Sequence, residues 1–201
     1  MTPTDEPERR LSSEERRSQI IVAALAVFGA KGYVGATTDD VARAASVSQP
    51  YVVRLFGSKE NLFVAACTAA LDQLLAGFRA AAEVTNDTLE HRLGRAYIDL
   101  LEVRGLHQTL THAFLLGAHP VIGPVARDGF AQVWEYLRSL GFTAEQAQGF
   151  LAHGMLINTM IGMRLADDYD VDSRVTELFD ACFPADKARV LGLAPRVDEA
   201  W

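Results

Sequence analysis

The sequence predicts an all-α fold of about nine helices, and three observations lead there. Apolar residues recur three and four positions apart over most of the chain. Gly and Pro fall between these stretches, and no two alternating runs are joined by hairpin chemistry. The composition, 201 residues with 49% hydrophobic and 22% charged, is that of a globular chain and excludes a disordered one. The length suits one sizeable domain or two small ones.

Residues 1 to 12 read as a polar arm without the apolar core of an export signal. Arg9 and Arg10 in it serve either as a solvated tail or as contacts to a phosphate or a minor groove. From Ser13 the pattern is helical. Ser12 or Ser13 caps the start, Glu14 and Glu15 favour the first turn, and Ile20, Ile21, Ala24, Leu25, Val27 and Phe28 form one apolar face. Gly32 is expected to end this helix, with Tyr33-Val34-Gly35 as a short link. Thr37 or Thr38 caps a short second helix with Val41, Ala42 and Ala45 on its apolar side, and Ser46-Val47 makes a turn. Ser48 caps a third helix, Gln49 to Phe56, with Pro50 in its first turn, where a missing N–H does no harm. Gly57-Ser58 breaks the chain again, and Ser58 caps a long helix from Lys59 to about Val84.

Further helices are expected at about 87–104, 107–118, 121–140, 143–166 and 173–183, with breaks at Pro120, Pro124 and Gly141. Residues 184 to 201, with Pro184 and Pro195, read as partly loose. The run from Gly149 to Ala166 is apolar almost all round. It is too short, and too interrupted by His153, Asn158 and Arg164, to be a membrane span, so it needs cover on several faces, and a second copy of the chain is one candidate cover. His153 is expected to be buried there. Cys67 and Cys182 read as free thiols.

The net charge is −7 and the isoelectric point near 5.2, which argues against a protein that coats nucleic acid. The charge is unevenly spread. Residues 1 to 60 hold eight basic and eight acidic side chains, and residues 61 to 201 hold eleven and eighteen. A neutral head on an acidic body is compatible with a small DNA-binding head.

The informative stretch is Thr37 to Lys59. Two short helices joined by a tight turn, with the small Ala42 where they must cross, have helix-turn-helix geometry. Val52, Leu55 and Phe56 face inward, which leaves Gln49, Pro50, Val53 and Arg54 pointing outward near the N-terminal end. A major-groove reading helix needs that arrangement. Gln49 suits adenine, Arg54 guanine or a phosphate, and Pro50 and Val53 a thymine methyl. Tyr51, Thr37 and Thr38 suit phosphates, as does Lys59, and Ser48 sits at the helix tip beside them. The competing reading of the same pattern is a plain helical hairpin with a solvated face.

The segment KGYVGATTDDVARAASVSQPYVVRLFGSKENLF resembles the DNA-binding head of TetR-family transcriptional regulators. It carries AVFGAKGY at the end of the first helix, TT opening the second, VA within it and VS before the recognition helix. An aromatic followed by x-S-K-E-x-L completes the match. The resemblance covers roughly residues 14 to 65. It implies an arm (1–12), a three-helix head (13–58) and a helical body (59–201) for ligand binding and dimerisation, and DNA contacts at Thr38, Gln49, Pro50, Tyr51, Arg54 and Lys59. Three positions depart from the pattern. Ser46 replaces a usual turn Gly, Val53 a common Tyr, and Leu55 a frequent polar residue, which implies a different operator.

The resemblance further implies a cytoplasmic, two-fold homodimer on a pseudo-palindromic double-stranded operator. The partner surface would come from helices at about 121–140 and 143–166, whose Ala147, Gly149, Gly154 and Gly162 permit close approach. It implies a small-molecule pocket in the body, for which Tyr97, Leu101, His112, Phe114, Trp134, Met155 and Asn158 are the candidates. These residues also suit plain core. Their aromatics suit a hydrophobic effector that releases a repressor from DNA. Activation, control by a partner protein, and an all-α ligand carrier or enzyme are the alternatives. No cofactor, catalytic group, metal site or membrane segment is expected. Asp168-Tyr-Asp170-Val-Asp172 imitates a calcium loop but lacks its Gly and its closing Glu.

Overall fold

The computed structural model describes residues 12–85 and 87–197. The rest of the expected arm, with Arg9 and Arg10, lies outside them. Ten α-helices and two 3-10 turns appear among the described residues, with no strand, so the fold is all-α.

Helix α1 (Ser13–Gly35) opens with a reciprocal cap. The Ser12 hydroxyl accepts from the Glu15 N–H at 3.1 Å, and the Glu15 carboxylate accepts from the Ser12 N–H at 2.7 Å. Gly32 (φ 65°) breaks the helical geometry where the sequence places a stop. The chain nevertheless resumes a helical turn through Tyr33–Gly35, which was expected as a link. Helices α2 (Thr38–Ala44) and α3 (Gln49–Phe56) complete the head. Thr37 and Asp40 form a second reciprocal cap on α2. Ser46, in the turn, adopts φ 52°, a left-handed conformation that glycine takes more readily.

Helix α4 (Lys59–Glu83) runs from head to body, and its buried face of Leu62, Phe63, Ala66, Ala70, Leu74 and Phe78 organises both cores. Phe63 meets Phe28 of α1 edge-on at 4.8 Å. By length and composition α1 and α4 are each apolar enough to cross a membrane, but here both carry core faces packed against neighbouring helices.

The expected helix at 87–104 is shorter. Helix α5 (Leu89–Asp99) gives way to a 3-10 turn, Leu100–Glu102, and then to Gly105 at φ 79°. The reason is a backbone contact. A Cβ on Gly105 would lie 2.1 Å from the Leu25 carbonyl oxygen, and one on Gly29 would lie 2.6 Å from the Gly105 Cα. Helix α6 (Leu106–Leu115) begins at that contact, followed by α7 (Ile122–Ser139) and α8 (Ala144–Gly162). Helix α8 stops before the expected residue 166 because Arg164 turns left-handed (φ 59°) into a 3-10 turn, Leu165–Asp167.

Helix α9 (Ser173–Cys182) lies where expected. Residues 184 onward, expected as partly loose, include an ordered helix α10 (Lys187–Leu193). Distant partners hold it. Val190 is buried, Arg189 pairs with Asp99 (2.6 Å) and Glu102 (3.0 Å), and Asp186 accepts from Arg95 (3.2 Å) and meets His91 (3.3 Å). A seven-residue helix carries too little periodicity for its sequence to announce it.

Candidate functional site

The head presents one polar face, built from the start of α2 and of α3. Val52 and Phe56 are buried and Leu55 is half-buried, so α3 is anchored by the face the sequence assigns inward. Ser48, Gln49, Pro50, Val53 and Arg54 are exposed, and Tyr51 is half-buried. The Gln49 amide donates to the Thr38 hydroxyl at 3.2 Å, which ties the tips of α2 and α3 together. The Arg54 guanidinium lies 4.9 Å from the Tyr51 ring centre, a stacked arrangement that holds a long side chain beside the tip. The Ser48 hydroxyl makes no cap hydrogen bond and is available to an outside acceptor or donor.

Two candidate phosphate contacts are occupied within the chain. The Thr37 hydroxyl accepts from the Asp40 N–H at 3.1 Å and donates to the Asp40 carboxylate at 2.7 Å. Hydrogen bonds from Lys31 and Thr37 hold the Asp40 carboxyl down at about 2. Lys59, expected as a free cation, donates to the Tyr33 carbonyl (2.9 Å) and the Ala36 carbonyl (3.2 Å) and lies over the Tyr33 ring. It ties the end of α1 to the start of α4, because carbonyls left over at a helix C-terminus seek a donor.

The body holds a cavity of about 510 Å³ between α4, α5, α6, α7 and α8. Four of the sequence candidates line it, namely Tyr97, Phe114, Met155 and Asn158. Three do not. Leu101 borders a separate polar groove near the 3-10 turn, His112 faces Gly32 of α1 (3.2 Å from an ideal Cβ there), and Trp134 lies on α7 outside the lining. Periodicity puts all three on helices but cannot tell a face turned to the cavity from one turned to a neighbouring helix. The lining also includes Leu74, Phe78, Leu110 and Phe150, which the sequence shows only as ordinary core residues. His153, expected to be buried, is exposed and lies on the rim.

At the inner end Tyr97 and Asn158 are both more than nine-tenths buried. The Tyr97 hydroxyl donates to the Asn158 side-chain oxygen at 2.6 Å. The same tyrosine's backbone carbonyl is 3.1 Å from Nε2 of the buried His107, whose pKa burial pulls down to about 4. Burial pushes the Cys67 thiol up to about 12, which makes this cavity-lining cysteine an inert apolar wall.

Cavity and head share a wall. Helix α6 turns Leu110, Ala113 and Phe114 to the cavity, and Gly105, Thr109 and His112 to α1. The Thr109 hydroxyl donates to the Leu25 carbonyl at 3.1 Å inside that contact.

The model of the family described as bacterial regulatory proteins, tetR family, matches residues 20–66. The chain is 36% identical over 95 residues to the HTH-type transcriptional activator FasR of Mycolicibacterium smegmatis. That match spans 46% of this chain and 43% of FasR, less than half of that relative's length. The whole fold is similar to a TetR-like transcriptional regulator from Rhodococcus sp. RHA1, with a TM-score of 0.59 and 19% identity over 92% of this chain and 96% of that one. It is also similar to the multidrug binding protein EbrR complexed with imidazole, with a TM-score of 0.55 and 21% identity over 99% and 100% of the two chains. At these identities the structural likeness is one of fold. Residues 20–66 thus match the head of the tetR family of bacterial regulatory proteins, and the fold of the whole chain is similar to that of a TetR-like regulator.

Proposed function

We propose that the protein is a sequence-specific DNA-binding transcriptional regulator, a repressor released from its operator by a small hydrophobic effector. The observation that carries this reading is the exposed tip of α3, where Ser48, Gln49, Pro50 and Arg54 stand clear of a helix held from behind by Val52 and Phe56. Gln49 and Arg54 read base edges, Tyr51, Ser48 and Thr38 position the backbone, and Lys59 and Thr37 hold the frame.

One head of this size on an acidic chain binds DNA weakly, so two act together. Helices α7 and α8 supply the surface between copies. On α8 and its C-cap the exposed Gly149, Ala152, Leu156, Thr159 and Met163 are spaced three and four apart, a seam of small and apolar residues. Phe130 on α7 adds a large exposed apolar side chain. The cavity binds the effector, and α6 carries the change to α1 while α4 tilts. The effector must bind the DNA-incompetent arrangement more tightly by the free energy that it removes from DNA binding.

The test is a gel shift with DNA from beside the protein's own gene at physiological salt, with Arg54→Ala as the control. Absence of sequence-specific binding, or unchanged affinity in the variant, overturns the reading. Sedimentation of Leu156→Glu tests the seam, where a monomer is expected. Activation instead of repression is favoured by the FasR relative, named an activator. A reporter in a deletion strain distinguishes the two by the sign of the change.

A further inference from the structure

We infer that the body cavity selects amphiphilic cations, molecules with an apolar or aromatic frame, a hydrogen-bond acceptor at the inner end and a positive group at the outer end. This inference rests on the effector reading above and names the chemistry of that effector.

The inner end asks for an acceptor. Asn158 is 5% exposed and lines the cavity, and its oxygen is taken by the Tyr97 hydroxyl. That bond assigns the amide nitrogen to the other side, where its two N–H groups have no partner among the described residues. This amide borders the cavity, so a carbonyl, ether or hydroxyl oxygen placed there gains a hydrogen bond in an enclosed apolar setting. The Tyr97 hydroxyl proton is already committed to Asn158, so the donors that the pair offers a ligand are those of the Asn158 amide.

The middle accepts no charge. Leu74, Phe78, Phe114, Phe150 and Ile157 wall it, and an ion there would lose its hydration without compensation.

The outer end asks for a cation. Among the described lining residues, the carboxylates are Asp72 of α4 and Asp128 of α7, and no Lys or Arg is present. Both are exposed. Asp72 has no ion pair or hydrogen bond among the described residues, and Asp128 accepts only from the Gln132 amide at 2.8 Å. A fatty-acid anion would meet two like charges, with His153 as the one basic side chain among the described lining residues, whereas an ammonium group meets two acceptors. Residues 61 to 201, with eleven basic and eighteen acidic side chains, add a field of the same sign.

The experiment uses the full chain and calorimetric titration with four probes on one frame. Three carry a 4-acetylphenyl group on a hexyl chain ending in trimethylammonium, hydroxyl or carboxylate. The fourth is the trimethylammonium compound with 4-isopropylphenyl, which has the shape of acetyl without its acceptor. The ammonium probe is expected to bind about tenfold tighter than the carboxylate, with the alcohol between, as two partly hydrated charges allow. In Asp72→Asn/Asp128→Asn the gap is expected to close to about twofold. The isopropyl probe is expected to bind about fivefold weaker than its acetyl twin, the size of one hydrogen bond, and Asn158→Leu to erase that difference. If Asn158→Leu does not fold, the acetyl–isopropyl comparison on the unaltered chain decides. An alcohol or carboxylate that binds as tightly as the ammonium probe overturns the inference, as does equal binding of the acetyl and isopropyl probes. In those cases the effector reading survives if the best binder releases DNA in the gel shift. If none of the four binds, both fall.

Discussion

Head and body are built on opposite principles. In the head the helix starts are closed locally, as in the Ser12–Glu15 and Thr37–Asp40 caps, a few ties such as Gln49–Thr38 and Lys59 to the Tyr33 carbonyl join its helices, and the reading face is left on the outside. In the body the partners are distant in sequence. Tyr97 meets Asn158, Arg189 meets Asp99, and Thr109 meets Leu25. The unpartnered group there, the Asn158 amide, faces a cavity. The difference teaches where each kind of recognition is kept. A rigid surface reads DNA, whose shape is given in advance, and an enclosed space adapts to a molecule that it must surround.

The contact that joins the two regions gives the largest expected effect. Gly105→Ala combines a Cβ 2.1 Å from the Leu25 oxygen with a left-handed backbone. It should lower stability by at least about 3 kcal/mol. A thermal melt checks it, and a melt like the parent's would mean that α1 and α6 separate easily, so that head and body are less coupled than the structure indicates.

Titration should separate the regions next. Burial depresses the folded-state pKa of His107 below its ordinary 6.5, to about 4. The neutral form is the one that is packed, so its contribution is full above about 6.5. Stability falls as the pH drops from there toward 4, because the unfolded chain takes the proton first, with a slope of at most about 1.4 kcal/mol per pH unit. Denaturant melts of the parent and of His107→Leu over that range should diverge. Parallel curves would contradict the assignment. Asp40, held at about 2 in the head, should keep its contribution over the whole of this window and lose it only in stronger acid.

Arg54→Ala tests the outer face alone. Operator affinity should fall by about 1–3 kcal/mol with the melting temperature unchanged. A change in both would show that the Tyr51–Arg54 stack supports the head as well as facing DNA. The smallest effect belongs to Ser46→Gly, which relieves a left-handed serine and should stabilise the head by about 0.5–1 kcal/mol without altering DNA affinity.

The same contrast explains what was legible in the sequence. Caps and turns are local, so Ser58, the Ser46 turn and the inward set Val52, Leu55 and Phe56 could be placed from spacing alone, and the first cap narrowed to Ser12 or Ser13. Lys59 could be placed on its helix, but its engagement with the Tyr33 and Ala36 carbonyls depends on how α1 ends, which is a tertiary fact. In the body, periodicity found the helices but not which side of each faces the cavity. Tyr97, Phe114, Met155 and Asn158 line it, while Leu101, His112 and Trp134 do not. The break at Gly105 falls in the gap expected between 104 and 107, but the early end of α5 at Asp99 and the close approach behind Gly105 were not legible, because the contact is to the backbone of Leu25, eighty residues away by sequence. Helix α10 was missed because distant ion pairs hold it.

Helix α6 has ten residues and two working faces. Leu110, Ala113 and Phe114 border the cavity, while Thr109 and His112, with Gly105 at the cap, bear on α1. Drift in ligand preference therefore has unequal routes open to it. A swap on α7 or α8 retunes what is accepted and leaves the signal intact, whereas a swap on α6 alters both at once. Lineages that acquire new chemical tastes should accumulate their changes on the former and keep α6 nearly fixed.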